Sequence, residues 1–240
     1  SGTSSADMDQ QAILAMCRAK ASGSSIATGV LEDRATAFSL IYQRRLWGTS
    51  ESASGPGSSV ANAQGAARAV AEVVRSNGVK SLIDVGCGDL NWLGPELASF
   101  PLLQVTAIDI AAAAYASASA DPRYAAVAFR AHDVVASPLP VAAELVLCRQ
   151  CINHMCAEDA VWALRHIAQS GARLLLLSHY ARGDNSAEML TVGVKYRSWN
   201  LQQPPFSDLL PPPEKCFEDE YNEEQRLNPM VLALYRLGLQ

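Results

Sequence analysis

The chain has 240 residues, 49% of them apolar, with a net charge of −5. That length suits one large α/β domain with a substantial core, and no basic stripe of the kind a polynucleotide substrate needs stands out beyond the short pair Arg44-Arg45. No apolar run is long enough to span a bilayer, and six cysteines are too sparse for a disulfide scaffold.

The opening stretch SGTSSADMDQ lacks an initiator methionine, so a leader or anchor could have been removed ahead of it. The cysteine usage makes a cytoplasmic location the default expectation, with a trimmed secretory-pathway protein as the alternative. Residues 9–20 read as a short helix, and EDRATAFSLIYQRRLWG as a second helical stretch ending near Gly48. TSESASGPGSS is a loop by composition. Ser59 is placed to cap the next helix, whose apolar positions Val60, Ala63, Ala67, Val70 and Val74 keep helical spacing; Asn77-Gly78 ends it.

An alternation follows. Strands are expected at 80–85, in LLQVTAIDI, AAVAFRAHD and AAELVLCR, and in ARLLLLSHY. Short helices fill 91–98 and 111–119, and a longer one, with acids at its start and Arg165-His166 near its end, fills 157–170. Continuous apolar strands separated by helices predict a parallel sheet covered on both faces. Residues 181–213, rich in Gly, Asn and Pro, break the rhythm and read as a packed lid. KCFEDEYN and MVLALYRL read as a hairpin at the sheet edge, with the acidic run Glu218-Asp219-Glu220 and Glu223-Glu224 on its solvated side. The expected division is an entrance region over 1–58 and a binding domain over 59–240 that carries the lid.

The first strand ends in Asp84-Val85 and runs into Gly86-Cys87-Gly88-Asp89-Leu90-Asn91. A dinucleotide fingerprint would place a third glycine where Asn91 stands, which argues against NAD. Backbone at Gly86 and Gly88 can still approach a ligand closely, because no Cβ intervenes. About twenty residues on, the second strand ends in Asp109, where an acid faces a ribose diol. The third ends in His132-Asp133. The crowding of Cys148, Cys151, His154 and Cys156 raises zinc, but paired C-x-x-C knuckles are missing and no metal is expected.

The segments LIDVGCGDLNWL, VTAIDI, AHDVVASPLP and AELVLCRQCINHM resemble the successive motifs of class I S-adenosylmethionine-dependent methyltransferases. IYQRRLWGTSESASGPGSS together with SWNLQQPPF resembles a small subgroup of them. The resemblance implies a Rossmann-like α/β fold whose seven-stranded sheet has the order 3-2-1-4-5-7-6, strand 7 antiparallel, with S-adenosyl-L-methionine as cofactor. It implies that Gly86, Cys87 and Gly88 approach the cofactor's amino-acid part, with Asp84 orienting the loop or reaching the ammonium. Asp109, with Ile110 beside it, would hold the ribose. Asp133 would accept from the adenine amino group, with Val134 along the ring and Arg149 completing the set. Ser54, Gly55 and Ser58 would bind the cofactor carboxylate through backbone amides and a helix N-terminus.

Methyl transfer from a sulfonium needs alignment and exclusion of water, and a hydroxyl acceptor also needs a base. Candidates at the ends of the fourth and fifth strands are His154, His179 and Tyr180 for catalysis, and Gln150 and Asn153 for the acceptor. Gln150 stands where related sequences commonly have an acid. Trp47, Trp199, Asn200 and Phe206 are the expected acceptor wall. The leading expectation is O-methylation of a small polar metabolite, without nucleic-acid or membrane partners. N-methylation and a non-catalytic cofactor-binding scaffold remain the alternatives, and the sequence leaves oligomeric state open.

Overall fold

The computed structural model describes residues 27–183, 185, 196–219 and 229–238. Its strands are β1 (Ser81–Val85), β2 (Gln104–Asp109), β3 (Val127–Ala131), β4 (Leu145–Cys148), β5 (Leu174–Tyr180), β6 (Lys215–Glu218) and β7 (Met230–Arg236). They form a seven-stranded sheet in the order β3-β2-β1-β4-β5-β7-β6. The pairings among β1–β5 are parallel, while β7 runs antiparallel to both β5 and β6. The predicted mostly parallel sheet and terminal hairpin are therefore present.

The helices are α1 (Ala27–Gln43), α2 (Gln64–Asn77), α3 (Leu93–Leu97), α4 (Ala112–Ser119) and α5 (Ala157–Ala168). The central strands carry long apolar runs because successive residues feed two cores. Leu82, Leu145 and Leu174 pack on the α2 side with Val70, Val73 and Val74. Their neighbours Ile83, Val146 and Leu175 pack on the α5 side with Ala163, Leu164 and Ile167. Helix α1 rests on α4 through Ala37, Phe38 and Ile41 against Ala111 and Ala114.

Helix α2 starts later than its spacing suggests. Ser59 Oγ accepts from Asn62 N–H in a turn ahead of the helix, and Val60 is 46% exposed. At its other end Gly78 takes φ = 57°, as expected of a left-handed cap. Gly65 has a different job. A Cβ there would lie 2.2 Å from the Glu218 carbonyl and 2.4 Å from that of Asp219, so glycine lets α2 approach the end of β6.

The described part of the lid docks onto the α5-side core. Trp199, Leu201 and Phe206 are buried there, and Trp199 Nε1 donates to Ile152 O at 3.0 Å. This corrects the expectation that Trp199 and Phe206 face an acceptor: an edge-to-face pair with centroids 5.1 Å apart anchors the segment instead. Phe206→Leu should cost about 1 kcal/mol of stability in urea unfolding and leave ligand affinity unchanged. The predicted helix at 9–20 and lid residues 184 and 186–195 lie outside the described residues.

Candidate functional site

The register brings the carboxyl ends of β1, β2 and β4 side by side, since Asp84 pairs with Ala107 and with Leu147. After β1 the chain turns through Gly86 (φ = 73°) and Gly88 (φ = 56°), a conformation that costs glycine nothing. The N–H groups of Gly86 and Cys87 both donate to Ile108 O, at 2.8 and 3.0 Å. Asp109 then fastens the turn: Oδ2 accepts from Gly88 N–H at 3.1 Å and Oδ1 from Ala111 N–H at 2.9 Å. A Cβ on Gly86 would meet Cys151 Sγ at 2.6 Å, and one on Gly88 would meet Ser54 Oγ at 2.3 Å. The glycines thus also accommodate close approach by the protein's own side chains.

Two cavities meet over this loop. One, of about 590 Å³, is walled by Ile110, Val134, Val135 and Met155, with Asp109 and Asp133 on its polar edges. The other, of about 430 Å³, is lined by Asp84, Cys87, Gly88, Arg149, Ser54 and Ser58. Tyr42, Trp47, Gly86, Gln150 and His154 line both, so the cavities form one cleft.

The acids in this cleft are electrostatically unusual. Burial above all, then the neighbouring Asp109 carboxylate, pushes Asp84 up to about 7 against the pull of Arg149. Burial also raises Asp109 to about 6, resisted by the N–H groups of Ala111, Gly88 and Ile110. Both folded values exceed the unfolded carboxylate value. Between about pH 4 and 7 these two carboxyls therefore bind more protons in the folded chain than in the unfolded one, and their contribution to stability falls as pH rises through that window. The melting temperature should drop between pH 5 and pH 8, and Asp84→Asn should flatten most of that slope.

Arg149 is the cation of the smaller cavity. Its Nε donates to both oxygens of Asp219, at 3.0 and 2.9 Å, and Nη1 donates to Gly57 O at 3.0 Å. Its guanidinium lies over Trp92, 5.1 Å from the ring centroid. Nη2 is buried without a partner among the described residues, as is Trp47 Nε1. Asp219 is itself buried, which corrects the view of the acidic run as a solvated hairpin edge; Glu223 and Glu224 lie outside the described residues.

The entrance segment folds around an acid that the sequence did not single out. Ser52 Oγ, Ala53 N–H and Ser54 Oγ all donate to the Asp89 carboxylate. Glu51 accepts from Val60 N–H and from the Asn91 amide. The helix N-terminus expected directly behind Ser58 is absent, because α2 begins at Gln64; only a three-residue 3-10 turn, Pro56–Ser58, stands there. Ser54 and Ser58 reach the cleft by their position in the loop, while Gly55 is not among its lining residues.

Of the catalytic candidates, His154 lines both cavities. Its ring stacks on Trp47 with centroids 4.4 Å apart and meets Tyr196 edge-on at 5.2 Å. His179 lines neither cavity. It is 2% exposed, its Nδ1 accepts from Leu201 N–H at 3.2 Å, and burial lowers its pKa. Those facts correct its expected place at the reacting centre. Tyr180 is buried, with its hydroxyl on that of Tyr196. Asn153 and Asn200 are buried too, bonded through their amide nitrogens to Arg197 O and Ala181 O. Gln150 does face the cleft. It sits at φ = 55°, its N–H is held by Ser178 Oγ at 2.8 Å, and its Nε2 meets Met230 Sδ at 3.6 Å. Sequence reasoning also missed Arg34, Phe38 and Tyr42, which α1 projects into the larger cavity. Their four-residue spacing on a helix was the available signal.

No protein-family model and no curated protein matches the sequence. Solved structures do match in shape. The S-adenosylmethionine-dependent methyltransferase SibL superposes with a TM-score of 0.53 at 14% identity, over 72% of this chain and 55% of its own. Magnesium protoporphyrin IX methyltransferase (ChlM) from Synechocystis PCC 6803, with bound S-adenosylhomocysteine, gives 0.54 at 17% identity, covering 72% of this chain and 83% of its own. The N-methyltransferase NodS from Bradyrhizobium japonicum WM9, in complex with S-adenosyl-L-homocysteine, gives 0.54 at 13%, covering 72% and 86%. The chain thus spans little more than half of SibL, and at these identities the likeness is one of fold.

Proposed function

We propose that this chain, which has the fold of the class I S-adenosylmethionine-dependent methyltransferases, transfers a methyl group from S-adenosylmethionine to a hydroxyl of a small polar acceptor. One observation carries the reading. A buried carboxylate, Asp109, and a guanidinium, Arg149, whose buried Nη2 has no partner among the described residues, line one cleft over a glycine turn.

The residues present fit the cofactor's parts. A carboxylate has about four lone-pair sites. Asp109 holds the N–H groups of Gly88 and Ala111, with that of Ile110 also drawn to it, and keeps acceptor capacity for a ribose hydroxyl. Arg149 Nη2 is a donor for the cofactor's carboxylate, and Asp84 is the acid for its ammonium. Ile110 and Val134 supply apolar walls for a purine, with Asp133 at its edge. When bound, S-adenosylmethionine supplies an electrophilic methyl group on a sulfonium.

The chain's own share is positioning and proton removal. Gln150 and His154 stand where the two cavities join, so an acceptor seated there meets both. Trp47 stacking fixes the His154 ring, and the imidazole takes the acceptor's proton. Tyr42 and Trp47 cover the same junction and keep water from it.

Calorimetry with S-adenosylhomocysteine and with NAD tests the reading. Tight binding of the first and none of the second is expected, and the reverse would overturn it. Methyl-labelled cofactor incubated with fractionated metabolites should then yield a labelled small molecule.

A further inference from the structure

Arg34 is the one cation that α1 sets into the larger cavity, and it is at least as buried as the acids that it joins. Its Nε and Nη2 donate to Asp133 Oδ2 at 3.2 and 2.8 Å, and its Nη1 reaches Asp159 Oδ2 on α5 at 3.4 Å. Side-chain exposures are 7% for Arg34, 10% for Asp133 and 7% for Asp159. The other Asp133 oxygen, Oδ1, accepts from Val135 N–H at 2.8 Å. Three of the roughly four lone-pair sites of this carboxylate are therefore taken. What remains is one acceptor direction on Oδ1, on a group held from both ends.

We propose that Arg34 is a specificity-determining positioning residue: by fixing Asp133, it makes the pocket select a purine bearing an exocyclic 6-amino group. This rests on the reading of the cleft as an S-adenosyl site. The surrounding walls, Ile110, Val134, Val135 and Met155, are apolar and read no particular base. Discrimination falls to the polar edge. A fixed carboxylate accepts from an amino group and repels a 6-oxo oxygen. The guanidinium is drawn toward Asp159 as well, so it does not swing round to donate to an oxo group instead. Without Arg34 the Asp133 carboxylate loses two of its three donors, and its remaining lone pair is no longer aimed.

The test removes the amino group and the guanidinium in turn, a cycle that isolates their coupling. Binding of S-adenosylhomocysteine and of its analogue with hydrogen at purine C6 is measured by calorimetry. In the natural protein, loss of the amino group should weaken binding about tenfold or more. In Arg34→Met the same loss should matter less than about threefold. Asp159→Asn keeps the Arg34–Asp133 fork and should keep the full discrimination at reduced melting temperature. Arg34→Lys keeps a charge without the fork and should fall between; it decides the matter if Arg34→Met does not fold. Equal weakening of both ligands by Arg34→Met, or undiminished discrimination in Arg34→Lys when Met fails, would reduce Arg34 to a structural clamp. Should the natural protein bind both ligands equally well, the selectivity alone is overturned. Should it bind neither, the S-adenosyl reading falls first.

Discussion

Asp109→Ala should weaken S-adenosylhomocysteine binding by about a hundredfold or more, measured by calorimetry at pH 7.5. A hydroxyl hydrogen bond to an ionised acceptor is lost, worth about 1.5–3 kcal/mol when made to a charge. The variant also frees the N–H groups of Gly88 and Ala111 that the carboxylate fastens, so the glycine turn loses its brace. Asp109→Asn separates the two contributions. Its amide oxygen still accepts, so the turn keeps part of its brace while the charge is gone, and the affinity loss should be intermediate. The natural protein should itself bind more tightly as pH rises through 6, because the raised pKa leaves the carboxyl partly protonated below that. An alanine variant within threefold of the natural affinity would show that the nucleoside does not rest on this acid.

His154→Ala should lower turnover about a hundredfold while S-adenosylhomocysteine affinity stays within about threefold, as expected for loss of a general base. The imidazole also supports Trp47 by stacking, so His154→Phe is the fairer variant: it keeps a ring against Trp47 and removes only the nitrogens. An acceptor amine brings its own lone pair. If turnover in His154→Phe stays near that of the natural protein, N-methylation becomes the better description. By contrast, His179→Ala should act on folding alone, since its Nδ1 serves Leu201.

The sheet was legible because its signals are local. A run such as Leu174 to Leu177 declares a strand buried on both faces, and Gly86-Cys87-Gly88 announces a turn close to its ends. Acids at the tips of β1, β2 and after β3 were likewise visible by spacing along the chain. The acceptor side was harder for a physical reason. A strand buried on both faces gives no alternation, so nothing in SHY says whether His179 points to cleft or core. Trp199 and Phe206 are apolar enough to line either, and packing against the α5 side decided for the core. Arg34 with Asp133 and Arg149 with Asp219 are partners 99 and 70 residues apart. Charge pairing over such separations leaves no periodic trace.

The bond from Arg149 to Asp219 has a consequence for the order in which the protein becomes itself. A ribosome that has just released β5 has already made the glycine turn, both strand-tip acids and the arginine beside them. That arginine lacks its bonded carboxylate, Asp219, until the last hairpin emerges and Gly65 lets the hairpin settle against α2. A chain halted there carries the glycine turn and the acids that line the cleft, yet lacks Asp219, the counter-charge that holds Arg149 in the complete fold.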